Sequence, residues 1–256
     1  MRISVFGAVL ALACVGLSAA PAAHAPRSAA ADSLRFDGEY GLRVGRDRDS
    51  VRVAWITADS APGTLHVLDG ERVRFETTTP AARMHAASFA HRGGGTLLLR
   101  YGGAAGDRHE TAIRLDPPRR PPVELDAVDS LFVMGDSHGE YDTLTATLRN
   151  AGVIDAQGRW SAGRAHLAVV GDMTDRGADV NRLLWFLYGL EPQAQRAGGR
   201  LHVLLGNHEI MVMLDDLRYV HPKELELARR HGVTYDRLFD PRRTVLGAWL
   251  ASKPAI

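Results

Sequence analysis

Leu131 to Asp142 reads LFVMGDSHGEYD. Four apolar residues, Leu131 to Met134, run into Gly135, and Asp136, His138 and Gly139 follow before the pattern turns helical. That is the signature of a buried strand ending in a tight turn that opens a helix. In open α/β sheets, ligands collect outside the carboxyl ends of the strands, so Asp136 and His138 stand where such a fold keeps its chemistry. Two residues apart on an extended strand end, their side chains can face the same way. A carboxylate and an imidazole that converge there can hold a divalent transition metal.

An Asp-x-His on its own is a weak signal, but the design recurs twice downstream. Leu167 to Val170 is a second apolar run, ending in Gly171-Asp172-Met173-Thr174-Asp175-Arg176-Gly177. Leu201 to Leu205 is a third, ending in Gly206-Asn207-His208-Glu209. Taken singly, Asp136 and Asp172 also suit helix caps, Asn207 a left-handed turn, Arg176 a surface ion pair and His208 a turn histidine. Three strand ends in one chain, each delivering glycine and a metal-competent side chain, point to a single shared site.

Around these ends the pattern alternates strand and helix. Glu140 to Asn150 carries Tyr141, Leu144 and Leu148 on one face, an amphipathic helix. Ala178 to Leu190 is apolar nearly all round, which predicts a helix buried on more than one side, and Pro192 to Gly199 reads as a polar connection. Such alternation suits a layered sheet with covering helices.

The N-terminal half has another texture. Short alternating runs lie at 42–44, 51–57, 64–68, 72–76, 84–89, 96–101 and 110–115, separated by turn clusters such as Ala61-Pro62-Gly63 and Gly93-Gly94-Gly95. Their spacing predicts an all-β sandwich over residues 32–115, and His66, His85, His91 and His109 fall on it as strand-surface residues. Residues 116–129 open with Asp116-Pro117-Pro118-Arg119-Arg120-Pro121-Pro122, a stiff proline-rich linker. Before the strands, the apolar stretch from Ile3 to about Ala20 and the small residues through Ala31 read as a secretory signal peptide over 1–31, giving a secreted or periplasmic location. The competing reading is an uncleaved N-terminal anchor.

Composition narrows the function classes. A hydrophobic content of 45% supports a packed core, and a formal net charge of +1 gives no electrostatic reason to expect nucleic acid or an acidic membrane. The single cysteine, Cys14, lies in the leader, so a metal in the mature chain would be held by Asp, Asn and His.

GDSHG at 135–139, GDMTDRG at 171–177 and GNHE at 206–209 resemble the three ordered signatures of the calcineurin-like metallophosphoesterases. The DRG and NHE forms resemble the phosphoprotein phosphatase branch, and the 215–220 run DDLRYV is similar to the bacterial Shewanella-like phosphatases. The sandwich before it resembles the fibronectin III/Ig-like module that precedes the catalytic domain of purple acid phosphatase-like proteins. The resemblance implies an α/β domain of layered αββα type over 130–256 and two divalent or trivalent ions, Mn, Fe or Zn. It implies Asp136, His138, Asp172 and Asn207 as metal ligands, with Asp172 bridging. A metal-activated hydroxide would attack phosphorus in line, His208 would protonate the leaving group with Asp175 as its partner, and Arg176 would bind phosphate oxygens. The implied substrate is a phosphorylated protein or a small phosphomonoester.

The family supplies two further histidine ligands and a second arginine downstream, the first histidine in an H-G-G context, whereas this sequence reaches Ile256 in LGAWLASKPAI. The expectation is therefore a catalytic domain incomplete at its C-terminus, with weak metal binding and slow or absent turnover. Two rival readings stay open: a nucleotide phosphohydrolase or phosphodiesterase on the same core, and a non-catalytic surface binding module.

Overall fold

The computed structural model describes residues 41–103, 107–120 and 128–255, so the expected signal peptide lies outside the described residues. The N-terminal half is a single antiparallel sheet of five strands, curled into a half-barrel: β1 (Arg43–Arg46), β2 (Ser50–Asp69), β3 (Arg72–Ala90), β4 (Thr96–Gly102) and β5 (Arg108–Arg114). β2 is central and pairs with β1, β3 and β4, and β4 pairs with β5.

This replaces the expected seven-strand sandwich. The Ala61-Pro62-Gly63 cluster, read as a turn between strands, is a set of β-bulges inside one long strand, with register shifts between Ile56 and Ala61 and between Pro62 and Gly63. A proline lacks the ladder donor, and a bulge is where a strand tolerates that loss. The bend lets one sheet fold its inner face over on itself. Val53, Trp55, Leu65, Val67, Leu99 and Ile113 are essentially unexposed on that face. The true turn is Gly70-Glu71, with Gly70 at φ +60°. His85 is also corrected. It is buried, stacked 5.2 Å from the Trp55 ring, and both its ring nitrogens meet threonine hydroxyls, Thr57 at 3.2 Å and Thr79 at 2.7 Å.

The second half is a parallel sheet in the order β6 (Leu131–Met134), β7 (His166–Val170), β8 (Arg200–Leu204). Register pairs Phe132 with Leu167 and Leu167 with Leu201, so these apolar side chains line one face. Helices α1 (Tyr141–Asn150) and α2 (Val180–Arg196) connect the strands. β6 is an edge strand and is not fully buried, since Leu131 is 41% and Val133 39% exposed. Helices α3 (Asn207–Met213), α4 (Pro222–Arg230) and α5 (Val245–Ala251) follow. His221 caps α4 through Nδ1, which accepts the Lys223 N–H at 3.1 Å.

α2 runs through the segment expected to be a connection, with Pro192 inside it. Proline at that position cannot donate to the Tyr188 carbonyl one turn earlier. Arg114 supplies the missing donor, with Nη2 3.3 Å from that carbonyl. The same pair joins the two halves a second time, because the Arg114 backbone N–H donates to the Tyr188 hydroxyl at 2.7 Å. Trp185 Nε1 and Asn181 Nδ2 both donate to the Leu42 carbonyl, and β1 is bridged to Thr244, so the two halves share one hydrophobic core.

Candidate metal centre

The carboxyl ends of β6 and β7 meet through backbone hydrogen bonds. The His138 N–H donates to the Asp172 carbonyl and the Gly139 N–H to that of Met173, each at 2.8 Å, and the Gly177 N–H returns to the His138 carbonyl at 2.8 Å. Such tight apposition explains the glycines. Gly139 has φ +69°, and a Cβ there would lie 2.7 Å from Val180 Cγ2. Gly171 has φ +86°, and a Cβ there would lie 2.6 Å from the Gly206 Cα.

Among the described residues, six that are not glycine have positive φ. Five of them are Asp136, His138, Asp172, Asp175 and Arg176, all picked out from sequence. Left-handed backbone is unfavourable for residues carrying a Cβ, and it persists where the surroundings over-determine it, which is typical of functional sites.

Glu209 does much of that determining, and the sequence reading gave it no role. It is 1% exposed, and its carboxylate accepts five hydrogen bonds. The donors are the backbone N–H groups of Asp172, Met173, Thr174 and Gly206 and the Thr174 hydroxyl. A signal was present: Glu209 stands three residues after Gly206, the spacing at which a glutamate reaches back over a helix start.

His138, Asp172 and His208 offer ligand atoms that all lie within 4.8 Å of one another, a group that could hold a metal ion. His138 Nδ1 meets the Thr174 carbonyl at 2.9 Å. A carbonyl only accepts, so Nδ1 carries the proton and Nε2 presents a lone pair. That Nε2 is buried and has no hydrogen-bond partner among the described residues. A histidine oriented by a carbonyl through one nitrogen, with the other bare and facing a carboxylate, fits a metal ligand.

His208 is differently engaged. Its Nδ1 is 2.7 Å from Oδ2 of Asp175, which is completely buried, and its Nε2 is 3.2 Å from Arg176 Nη2. Its ring stands edge-on to His138 with centroids 4.7 Å apart, and Tyr219 lies 5.5 Å away on another side. Tyr219 also accepts the Arg176 N–H through its carbonyl, so the run after GNHE helps to build the site. Nothing in the sequence pattern singles out Tyr219 within that run.

The structure thus brings His138, Asp172, Asp175, Arg176 and His208 together. Asp136 and Asn207 sit at the same strand ends but are exposed, and Asp136 is outside the convergent group. No helix among the described residues is long and apolar enough to cross a membrane.

The description of the calcineurin-like phosphoesterase family matches residues 130–247. The chain is 41% identical over 98 residues to Shewanella-like protein phosphatase 2 of Arabidopsis thaliana, a match covering 38% of this chain and 25% of that protein. It is 30% identical over 105 residues to Shewanella-like protein phosphatase 1 of Plasmodium berghei (strain Anka), covering 41% of this chain and 29% of that one. The chain therefore spans well under half the length of these curated relatives. Among solved structures, a mutant of a cold-active protein tyrosine phosphatase is similar with a TM-score of 0.52 and 32% identity, covering 63% of this chain and 55% of that chain.

Proposed function

We propose, from the premise that residues 130–247 are a calcineurin-like phosphoesterase segment related to the Shewanella-like protein phosphatases, that this chain hydrolyses phosphate monoesters with the help of bound metal ions. One observation carries the reading: the buried, unpartnered Nε2 of His138 faces Asp172 beside the His208–Asp175 pair. His138 and Asp172 would hold metal, with Asp136 and Asn207 completing the ligand set from the rim. Bound metal supplies Lewis-acid activation of the phosphoryl group and of water. The donors are nitrogen and oxygen only, which suits Mn, Fe or Zn.

The chain's own groups supply the rest. Asp175 accepts from His208 Nδ1 and fixes the ring, so that Nε2 faces the reacting side and can deliver a proton to the leaving oxygen. In this arrangement Arg176 donates to that same Nε2. An incoming phosphate competes for the guanidinium, whose fork matches two phosphate oxygens. Drawing Arg176 onto the phosphate frees the Nε2 lone pair to take up a proton from solvent, which it can then deliver to the leaving oxygen. Arg176 then neutralises charge as the phosphoryl group transfers.

The relatives named as protein phosphatases support a phosphoprotein substrate, with phosphoserine, phosphothreonine and phosphotyrosine all open. A secreted or periplasmic location is proposed from the apolar leader, and N-terminal sequencing of the protein from its native host should then begin at Asp32.

The test is hydrolysis of p-nitrophenyl phosphate and bis-p-nitrophenyl phosphate by the full chain with and without Mn²⁺, beside Asp172→Ala. Metal-dependent monoester hydrolysis lost in the variant supports the proposal. Equal rates in both proteins sink it, and preference for the diester points to the phosphodiesterase reading.

A further inference from the structure

A cleft of about 820 Å³ lies at the other end of the parallel sheet from the metal centre. β8 connects the two, with Arg200 in the cleft wall and Asn207 just beyond the far end of the strand. At the rise of an extended strand they are on the order of 20 Å apart, so one phosphate cannot reach both. α2 spans the same interval. Its N-cap, Asp179, donates its N–H to the Gly139 carbonyl beside the metal centre, and Glu191 near its other end lines the cleft.

The cleft is strongly basic. Seven basic side chains line it against two carboxylates. Arg114 and Lys253 are held by Glu191, at 3.1 and 2.6 Å, and Trp249 Nε1 adds a third donor at 2.7 Å. That carboxylate is neutralised where it stands. Asp116 accepts the Gly95 N–H at 2.9 Å. Among the described residues Arg46 reaches only a neutral carbonyl, that of Gly93.

Arg119, Arg120, Arg200 and Arg242 have neither a side-chain hydrogen bond nor an ion pair among the described residues. They come from three separate segments, the linker, β8 and the loop before α5, and all line one cavity. Guanidinium groups brought together without counter-charges repel one another, and a fold gains nothing from the arrangement by itself. His202, also in the wall, is held down to about 4, by burial first and then by His166 and Arg200. It is neutral at pH 7, so the positive charge comes from the arginines and Lys253.

We infer that this cleft is a second anion site, built for a small molecule carrying two or more phosphate groups. The volume is that of a small-ligand pocket. A guanidinium fork binds two phosphate oxygens, so four forks with no partner among the described residues exceed what one phosphate can satisfy.

The probe is tripolyphosphate, titrated calorimetrically into the full chain in EDTA, with inorganic phosphate in parallel. EDTA removes metal-dependent binding at the strand ends, so this result is independent of the phosphatase reading. The expected result is one site for tripolyphosphate, at least ten-fold tighter than for phosphate. Arg200→Gln should weaken it about ten-fold, the scale of one lost charged hydrogen bond. The double variant Arg119→Gln/Arg120→Gln, on exposed side chains that leave the fold intact, should weaken it further. Asp172→Ala should leave it unchanged. Absence of binding, equal affinity for phosphate, or loss on Asp172→Ala with no effect of the arginine changes overturns the inference.

Discussion

The Glu209 carboxylate on α3 accepts the backbone N–H of Asp172 at 2.9 Å, tying a helix start to the loop that follows a different strand. With four more donors on the same carboxylate, Glu209 holds the second and third strand ends as one unit. Glu209→Gln keeps the volume and removes one acceptor oxygen. At least two buried N–H groups then face an amide donor. An unsatisfied buried group costs about 1–3 kcal/mol, so the variant should lose about 2–6 kcal/mol in urea unfolding. A loss below about 1 kcal/mol would show that the loop holds itself.

The bare His138 Nε2 makes a separate prediction about metal. His138→Ala removes the ligand atom and leaves the Glu209 bonds untouched. Mn²⁺ affinity by calorimetry should fall by more than about 100-fold, beyond the loss typical of a supporting partner. Unchanged affinity would move the ion away from this histidine.

Much of the site was legible because its chemistry is carried by local sequence. Glycine followed by Asp136, Asp172 or Asn207 at the end of an apolar run marks a backbone turn, and the structure places all three at strand ends, with Asp172 in the group that could hold a metal. What escaped reading depends on partners far away in the chain. Glu209 is a helix-start glutamate until the 172–174 loop is seen beneath it. Pro62 marks a turn by composition, and only pairing with β3 makes it a bulge. Pro192 breaks a helix by propensity, and only Arg114 on β5 repairs the Tyr188 carbonyl it leaves open. His85 sits in an alternating strand whose exposed side cannot be told from its buried side until the sheet curls.

Gly139 tests whether the turn geometry is required. An alanine there must accept φ +69° and a Cβ 2.7 Å from Val180 Cγ2. Left-handed backbone costs roughly 1–2 kcal/mol and overpacking roughly 1–3 kcal/mol. Gly139→Ala should therefore lower stability by about 2–5 kcal/mol in urea, whereas Gly232→Ala, with φ +67° and no atom near its Cβ position, should cost only the backbone share. Equal losses would mean that the contact with Val180 relaxes freely.

The His208–Asp175 pair, 2.7 Å apart and buried, predicts a dependence on leaving group. If His208 delivers the proton, poor leaving groups need it most. Under metal-loaded conditions that give turnover, His208→Ala and Asp175→Asn should lower kcat on phenyl phosphate by about 10²–10⁴, the range of general acid catalysis. On p-nitrophenyl phosphate the drop should be much smaller. An equal drop on both substrates would assign His208 to metal binding, the alternative its place beside His138 and Asp172 allows.

The last prediction concerns stability against pH and rests on His231, remote from the strand ends in sequence and role. Its Nε2 donates to the Gly41 carbonyl at 3.0 Å, while Nδ1 is buried with no partner among the described residues. Burial lowers its pKa from the ordinary 6.5 to about 4, Arg43 and Arg52 push the same way, and the Gly41 carbonyl opposes them. Between those values the unfolded chain takes up a proton that the folded chain refuses. Stability from this group is therefore complete above about pH 6.5 and is lost as pH falls toward 4. At about 1.4 kcal/mol per unit, the fall from pH 7 to pH 5 removes about 2 kcal/mol. His202, also held at about 4, acts in the same direction, less strongly because water reaches and screens it. Urea unfolding at pH 7 and pH 5 should show the wild-type loss, and His231→Gln, which keeps a donor for Gly41 and cannot charge, should show most of it gone. The same pH slope in both proteins would mean that His231 protonates freely in the folded state, and that the Arg43 and Arg52 charges are screened from it.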